Sequence, residues 1–395
     1  MSLKTVTIAE IAAPDKRSIA IGPFGSSLKA DLYVPSGVPV VRGQNIKEGG
    51  ELDESDLVFV EPETAARFPA CLLNEGDLVF PHRGAIGRVG IVGKRQMLLS
   101  SSMMKLTVDP LKADPRFVFY YFRGPGQNEL LMRASTVGTP GIGQPLTSLR
   151  GIPIQIPELD QQRAIAEVLS ALDDKIAANK KLVQVADDLG ASLTRNALDS
   201  SESIALSTIA DIVMGSSPLG TSFNEVGEGT VFYQGVRDFG FRFPCNRVWT
   251  TAAAKLARSG DTLLSVRAPV GRVNLATEKT CIGRGVASVR SSSGRPFTLF
   301  HILKDSHEAW APFEAEGTVF GSINKGQLAS LRVPRLKPEY EDQLEAMLAP
   351  MERVIGSALR ENTNLAATRD ALLPQLMSGK LRVQDAEKVL EGTAA

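Results

Sequence analysis

Apolar and polar positions alternate between two textures along the 395-residue chain. Residues 1–150 are broken into short apolar runs, such as Val38-Pro39-Val40-Val41 and Asp77-Leu78-Val79-Phe80, punctuated by glycine and proline. Runs of that length between turn residues predict short strands, with one helix over Pro115–Phe122. The segment Ser203–Arg332 repeats the texture and predicts a second short helix near Phe297–Lys304. From Pro157 to about Leu198, and again from about Pro338 to Ser378, apolar residues instead recur at helical spacing. Pro157 stands where a helix can begin, and Glu158 and Asp160 follow in the first turn, where the helix dipole favours acids. With Ile165 at heptad position a, Leu172, Asn179, Ala186 and Leu193 also fall at a, while Val168, Lys175, Leu182, Leu189 and Asn196 fall at d. That is an imperfect coiled-coil seam in which Asn179 is a candidate for fixing the register. The second stretch offers Leu344, Met351, Ala358, Leu365 and Leu372 at the same spacing; Leu348, Ile355 and Leu376 fit only with a one-residue drift. Pro350 and Pro374 are expected to kink or interrupt it.

The two β-rich stretches are copies of one another. Gly76-Asp77, Arg83 and Gly87-Arg88-Val89 return as Gly260-Asp261, Arg267 and Gly271-Arg272-Val273 at a constant offset of 184 residues. Thr7-Ile8-Ala9-Glu10-Ile11 returns as Thr208-Ile209-Ala210-Asp211-Ile212, and Ser148-Leu149-Arg150 as Ser330-Leu331-Arg332, each of the latter leading to a proline and a long helical stretch. A helix of about 40 residues is about 60 Å long. The first carries the chain from one globule to the other, and the second most simply buries its apolar stripe by folding back along the first. The expected class is α+β: two similar β-rich domains and two long antiparallel, coiled-coil-like helices, related by a pseudo-two-fold axis.

Charge adds a functional hint. The net charge is zero, yet residues 1–150 hold 17 Lys and Arg against 15 Asp and Glu, and residues 201–337 hold 16 against 11. Residues 151–200 hold 5 against 8, and residues 338–395 hold 6 against 10, so the globules are basic and the helices acidic. Arginine, whose planar fork suits phosphates and guanine edges, outnumbers lysine 27 to 17. Basic globules are compatible with nucleic acid, although imbalances of this size also fall within ordinary scatter. Cys71, Cys245 and Cys281 form no CxxC spacing and read as reduced cysteines of a cytoplasmic protein. No apolar amino-terminal leader and no run near 18 apolar residues is present, so neither a signal peptide nor a membrane partner is expected.

Motifs for catalysis are missing. The sequence holds no GxxxxGK[ST], GxSxG, HExxH or paired Cys/His spacing, and His82, His301 and His307 are scattered. A binder with no catalytic residue, no metal, no cofactor and no small-molecule substrate is expected. In the duplicated motif the Gly-Asp pairs read as turns opening a strand. Arg83, Arg88, Arg267 and Arg272 remain open between salt bridges to Asp77 and Asp261 and anchoring of phosphates. Arg42-Gly43-Gln44-Asn45 and Gln234-Gly235-Val236-Arg237 carry side chains able to bond base edges, as polar turns also do. The loops around Thr139 and around Asn324-Lys325 are small and polar, fit for approach to phosphate or for plain connection. Arg42, Gln44, Asn45, Arg83, Arg88, Thr139, Gln234, Arg237, Arg267, Arg272, Asn324 and Lys325 are therefore the DNA-binding candidates.

The run Ile152-Pro153-Ile154-Gln155-Ile156-Pro157, followed by Gln162, Ile165 and a long helix, resembles the conserved region of Type I restriction–modification specificity subunits. Leu365 and Arg369-Asp370-Ala371-Leu372-Leu373-Pro374-Gln375-Leu376-Met377-Ser378-Gly379-Lys380-Leu381 are similar to that family's second conserved region. The second helix start departs from the pattern, with Ala346 where an isoleucine is usual, which bears on helix register. The resemblance implies target-recognition domains over residues 1–151 and 201–334, conserved helical spacers over 152–200 and 335–382, and a tail over 383–395. It implies a non-catalytic subunit that reads a bipartite target in double-stranded DNA, one half-site per domain. Its helices would dock two methylation subunits, with Gln162, Ile165, Asp173, Asp187, Asp188, Arg369 and Asp370 as docking candidates, and restriction subunits would complete the complex. S-adenosylmethionine would sit on the methylation subunit, and ATP and magnesium on the restriction subunit. A related fused or phage-defence methylation system, or a two-module protein adaptor without DNA binding, is the alternative.

Overall fold

The computed structural model describes residues 2–24, 27–135, 140–313 and 321–393. The chain divides into two compact units: residues 1–176 with 363–395, and residues 177–362. Each takes one β-rich domain together with a stretch of each long helix.

In the first unit a four-stranded sheet runs in the order Ile19–Ile21, Met103–Leu106, Leu78–Pro81, Gly90–Ile91. A five-stranded sheet runs Tyr33–Val34, Val58–Val60, Val38–Val41, Met97–Leu99, Leu72–Leu73, and Lys4–Thr7 pairs with Pro153–Ile156. The second unit repeats this strand for strand. Its four-stranded sheet runs Ala210–Met214, Val286–Ser291, Thr262–Ser265, Val273–Leu275. Its five-stranded sheet runs Phe223–Asn224, Trp249–Thr250, Thr230–Tyr233, Thr280–Ile282, Leu256–Ala257, and Leu198–Ala205 pairs with Arg332–Leu336. Even the exception is shared: one pair in each five-stranded sheet is parallel, Val38–Val41 with Met97–Leu99 and Thr230–Tyr233 with Thr280–Ile282. The duplicated motif lies on a strand buried on both faces. Phe80 and Leu264 point into the core under the short helix, whereas Val79 and Leu263 point into the core of the five-stranded sheet.

Helix α1 (Pro115–Phe122) has Asp114 as its N-cap, accepting from the backbone N–H of Arg116 and Phe117 at 2.9 and 3.0 Å, and proline at its first position. The long helices are α2 (Leu159–Ala197) and α4 (Gln343–Met377), with α3 (Pro296–Asp305) the counterpart of α1. Residues Val383–Thr393, expected as a tail, form a further helix, and Ala386 is buried in the core of the first unit.

The seam differs from the expected register. The a positions face inward: Ile165, Leu172 and Asn179 are buried and Ala186 and Leu193 half-buried. The second buried row lies at a+4, through Leu169, Ile176, Val183, Gly190 and Ala197, so Lys175, Leu182, Leu189 and Asn196 face outward. The same rule removes the apparent drift in α4, where Leu348, Ile355, Asn362, Arg369 and Leu376 lie at a+4 from Leu344, Met351, Ala358, Leu365 and Leu372. Within the second unit the pairing is antiparallel: Asn179 donates to Glu361 at 2.7 Å, Val183 packs with Ile355 and Ala358, and Ala197 packs with Leu344 and Leu348. Contrary to expectation, α4 is not interrupted at Pro350 or Pro374. Both prolines are exposed, so water can take up the carbonyls that their missing N–H groups leave free.

Each short helix is fixed to the long ones at both ends. In the first unit Gln162 accepts from the N–H of Asp114 (3.0 Å), and Asp173 accepts from Tyr120 Oη (2.7 Å), Arg123 Nη1 (2.6 Å) and Arg369 Nη1 (2.6 Å). In the second, Glu345 caps α3 by accepting from the N–H of Thr298 (2.8 Å), while Glu352 bonds His301 (2.8 Å) and Asp187 bonds both Lys304 and Arg242. Burial alone would raise the Asp187 carboxyl, but Lys304 and Arg242 outweigh it and hold it below the ordinary carboxylate value.

Because that pKa is depressed in the folded state, the stabilisation it gives is complete above the unfolded value near ~3.9 and is lost as pH falls through the folded one. Asp187→Asn should cost about 1–3 kcal/mol at pH 7, since buried Arg242 loses the Asp187 carboxylate and keeps only Glu352, 3.2 Å from its Nε. The gap between the two proteins should begin to narrow only below about pH 4 and close as pH falls through the lower, folded value. Both tryptophans, Trp249 and Trp310, lie in the second unit, so their fluorescence in urea titrations at pH 7 and at successively lower pH down to about pH 2 makes the measurement.

Candidate nucleic-acid interface

The loops leaving one end of the sheets are tied together by backbone bonds that recur in both domains. In the second unit Val266, just past the strand Thr262–Ser265, donates to Gly285 O (3.0 Å) and accepts from Ile323 N–H (3.0 Å), and Ala268 donates to Gly321 O (2.9 Å). In the first unit His82 donates to Ser102 O (2.9 Å) and accepts from Ile142 N–H (2.9 Å), and Gly84 donates to Pro140 O (3.1 Å). Arg83 and Arg267 therefore leave the same point of the same scaffold, and both are exposed.

The aspartates of the duplicated motif belong to the scaffold. Asp77 is buried and accepts from Asn74 N–H (3.0 Å), Thr107 Oγ1 (2.5 Å) and Lys105 Nζ (3.2 Å). Asp261 accepts from Arg258 N–H (2.8 Å), Ser288 Oγ (2.7 Å) and both Nε and Nη2 of Arg290 (2.7 Å each). Burial raises the Asp261 carboxyl, and the Arg290 fork with the two neutral donors brings it below its ordinary value. Neither aspartate pairs with an arginine of the motif, so the salt-bridge reading of those arginines fails. The motif glycines serve turns: φ is 85° and 84° at Gly76 and Gly260, and 90° and 86° at Gly87 and Gly271. A Cβ on Gly271 would come within 2.3 Å of the Trp310 ring.

The motif arginines have separate fates. Arg88 donates from Nη1 to Ile46 O (2.9 Å), bracing the following loop. Arg83, Arg267 and Arg272 make no side-chain hydrogen bond or ion pair among the described residues, and all three are exposed. Arg83 lowers the pKa of the adjacent His82, after burial as the main cause, which leaves the imidazole neutral at pH 7.

Of the remaining candidates, Asn45 is buried and spent on its own turn, accepting from Arg42 N–H (2.9 Å) and donating to Asp56 O (3.0 Å). Arg42 and Gln44 converge on Asp56, at 3.2 and 2.6 Å from Oδ2. In the second unit Asp238 takes the place of Asn45, accepting from Gln234 N–H (2.7 Å), and Arg237 is exposed with no side-chain partner among the described residues. Asn324 caps the helix Lys325–Ser330 by accepting from Gln327 N–H (3.0 Å), and Lys325 is exposed. Thr139 lies outside the described residues, as do its loop neighbours 136–138 and the paired 318–320. Gln234 and Arg267 are brought together with a residue the sequence did not single out, Arg284, around a surface cavity of about 230 Å³ that Ser217 and Val236 also line. Arg284 donates to Ser217 Oγ (3.3 Å). Its signal was legible: an arginine between Gly283 and Gly285 directly after a strand.

The helix candidates divide as well. Gln162, Ile165, Asp173, Asp187 and Arg369, expected as docking residues, instead face inward and hold the domains to the helices. Asp188, bonded by Gln184 (2.9 Å), and Asp370, paired with Arg369 (2.7 Å), are exposed.

Residues 24–186 match the family model for the Type I restriction modification DNA specificity domain. A putative type I restriction enzyme MjaX specificity subunit from Methanocaldococcus jannaschii is 28% identical over 377 residues, with 88% of each chain covered. The chain is thus similar to type I specificity subunits along most of its length. The MjaVIII specificity subunit of the same organism is 21% identical, covering 80% of this chain and 81% of that one. The crystal structure of the type I restriction–modification S subunit from M. genitalium has the same fold, with a TM-score of 0.67 at 16% identity over 95% and 96% of the two chains. Specificity subunits are the non-catalytic DNA-recognition components of these systems. No helix of the described residues is long and apolar enough to cross a membrane.

Arg88 and Arg83 give a contrast that separates scaffold from surface. Arg88→Ala should lower stability by about 1 kcal/mol through the lost bond to Ile46 O. Arg83→Ala should leave the thermal midpoint within error of the parent, as differential scanning calorimetry can show.

Proposed function

We propose that each β-rich domain reads one half of a bipartite target in double-stranded DNA and that the long helices set the gap between the halves. The observation that carries this reading is the recurrence of an exposed arginine without a side-chain partner, Arg83 and Arg267, on identically bonded loops of two domains. Their neighbours differ: Arg42-Gly43-Gln44-Asn45 against Gln234-Gly235-Val236-Arg237, and Ser101 where Arg284 stands. A common scaffold with unlike reading residues favours two unlike half-sites and an asymmetric target. Arg83, Arg237, Arg267, Arg272 and Lys325 would engage phosphates or bases, and Gln44 and Gln234 base edges.

The helices would dock two methylation subunits, on which S-adenosylmethionine would be bound, with ATP- and magnesium-using restriction subunits completing a cytoplasmic complex. Support for docking comes from the outward face of α2. Leu182, Val185 and Leu189 lie at helical spacing in the second unit and are 46, 57 and 48% exposed, an apolar stripe on an otherwise polar face. Asp188 flanks that stripe, and Asp370 is the exposed acid of α4 among the docking candidates.

Modification-sensitive sequencing of host DNA with the gene intact and deleted tests the central reading. N6-methyladenine should vanish from one bipartite, non-palindromic motif on deletion; an unchanged methylome, with the system expressed, would sink the reading. Arg267→Ala should weaken binding at that motif and reduce the slope of log affinity against log salt by about 1. Leu182→Lys with Leu189→Lys should weaken methylation-subunit binding at least tenfold, about 1.4 kcal/mol or more, while DNA binding by the chain stays unchanged.

A further inference from the structure

Each domain carries a large apolar side chain on a loop next to the turn that holds Arg284 in the second unit and Ser101 in the first. Pro23-Phe24-Gly25-Ser26-Ser27 in the first unit and Pro218-Leu219-Gly220-Thr221-Ser222 in the second are the same pattern. Both lie in the loop leaving the first strand of the four-stranded sheet, Ile19–Ile21 or Ala210–Met214. In both a turn closes on the apolar residue, Ser27 N–H to Phe24 O and Ser222 N–H to Leu219 O, at 2.9 and 3.0 Å. Phe24 is 78% exposed and Leu219 77%.

The base of each loop is pinned against that turn. A Cβ on Gly22 would lie 1.8 Å from Ser100 O, and one on Gly215 would lie 2.2 Å from Gly283 O, so only glycine allows the approach. Gly22 donates to Met103 O and Gly215 to Val286 O, which ties the loops to the turns holding Ser101 and Arg284. Ser217, two residues before Leu219, accepts from Arg284 and lines the cavity shared with Arg267 and Gln234.

An isolated exposed leucine or phenylalanine needs no explanation. Two of them do, at the same point of one topology, in domains whose other loop residues have diverged. Arg267 and Arg284 next to the Leu219 loop, and the exposed Arg83 of the first unit, favour a polyanionic partner, and an apolar tip can do what a cation cannot, enter the stack between two bases. Resting on the DNA reading above, we propose that Leu219 and Phe24 are wedges, each partly unstacking one base step in its own half-site. Proteins that bend DNA use Phe and Leu in this way. A loosened step would also lower the cost of extruding a neighbouring adenine for methylation.

The full chain, without methylation subunits so that no base-flipping enzyme contributes, is used to select bound sequences from random duplexes. The selected duplex is then rebuilt with 2-aminopurine at successive positions. Wild-type binding should brighten one position in each half-site. Leu219→Ala should abolish the signal in one half-site and Phe24→Ala in the other, each with roughly tenfold weaker binding and an unchanged salt slope. Leu219→Phe should keep the signal. Both side chains are exposed, so the variants leave the core intact, and circular dichroism checks their fold. The proposal is overturned if no position brightens with wild-type protein or if the brightening survives both alanine variants. Failure of the wild-type chain to enrich any duplex would instead overturn the DNA reading itself, and the wedge with it.

Discussion

The architecture hangs on a carboxylate of a long helix gripping a cation at the carboxyl end of a short one. In the first unit Asp173 takes Arg123, and in the second Asp187 takes Lys304. Each grip is doubled by a second arginine, Arg369 on α4 or Arg242 in the β-rich domain. The side chain of Arg242 is 1% exposed and lies over the Phe300 ring at 4.6 Å. A buried charge of this kind adds little net stability compared with a well-packed apolar residue, yet its loss of a partner is costly. That asymmetry makes it a device for orientation. A domain rotated or slipped by one residue along its helices would strand charges in the core, whereas an apolar contact could repack. A protein that must present its reading loops at a set angle to its own helices gains more from this penalty than from added burial.

The opposite ends of the short helices show how one solution was kept while its parts changed. Gln162 meets α1 and Glu345 meets α3, each from the first turn of a long helix, and each takes up an N–H at the start of the short helix. Asp114 supplies its own N-cap to α1, so the neutral Gln162 suffices there. Arg295 precedes α3 and offers no cap, so the carboxylate of Glu345 supplies it.

Much of this was legible in the sequence, and its gaps have physical reasons. The duplicated strand announced itself because Gly76, Asp77, Gly87 and their repeats are fixed by backbone geometry and burial, which tolerate few residues. The short helices were legible from Pro115 and Pro296 and the apolar runs after them. The seam was misread because Val168 is buried along with Leu169, so a+3 and a+4 could not be told apart in the first turns. Only Lys175 and Asn196, polar at a+3 against Ile176 and Ala197 at a+4, discriminated. Asp173 and Asp187 read as docking residues because their partners, Arg123, Arg369, Arg242 and Lys304, are between 50 and about 200 residues away. Pattern within one helix carries no trace of a cation on another.

The candidate surface was half legible for a related reason. Repetition exposes what two domains share: the scaffold aspartates and turn glycines, and the exposed pair Arg83 and Arg267. On the proposed reading, residues that discriminate between half-sites would differ between the domains, so comparing the copies conceals them. Arg284, at the position that Ser101 holds in the other domain, is the clearest case, and only the fold aligns them. The apolar tips form a third class. Phe24 and Leu219 are alike in chemistry though not in identity, and they sit on loops of different length, so a search for identical residues at a constant offset passes over them. A property kept while residue and spacing drift is what selection on a shared physical task leaves behind. On the wedge proposal that task keeps apolar surface in water at the same point of both domains, which folding alone does not require.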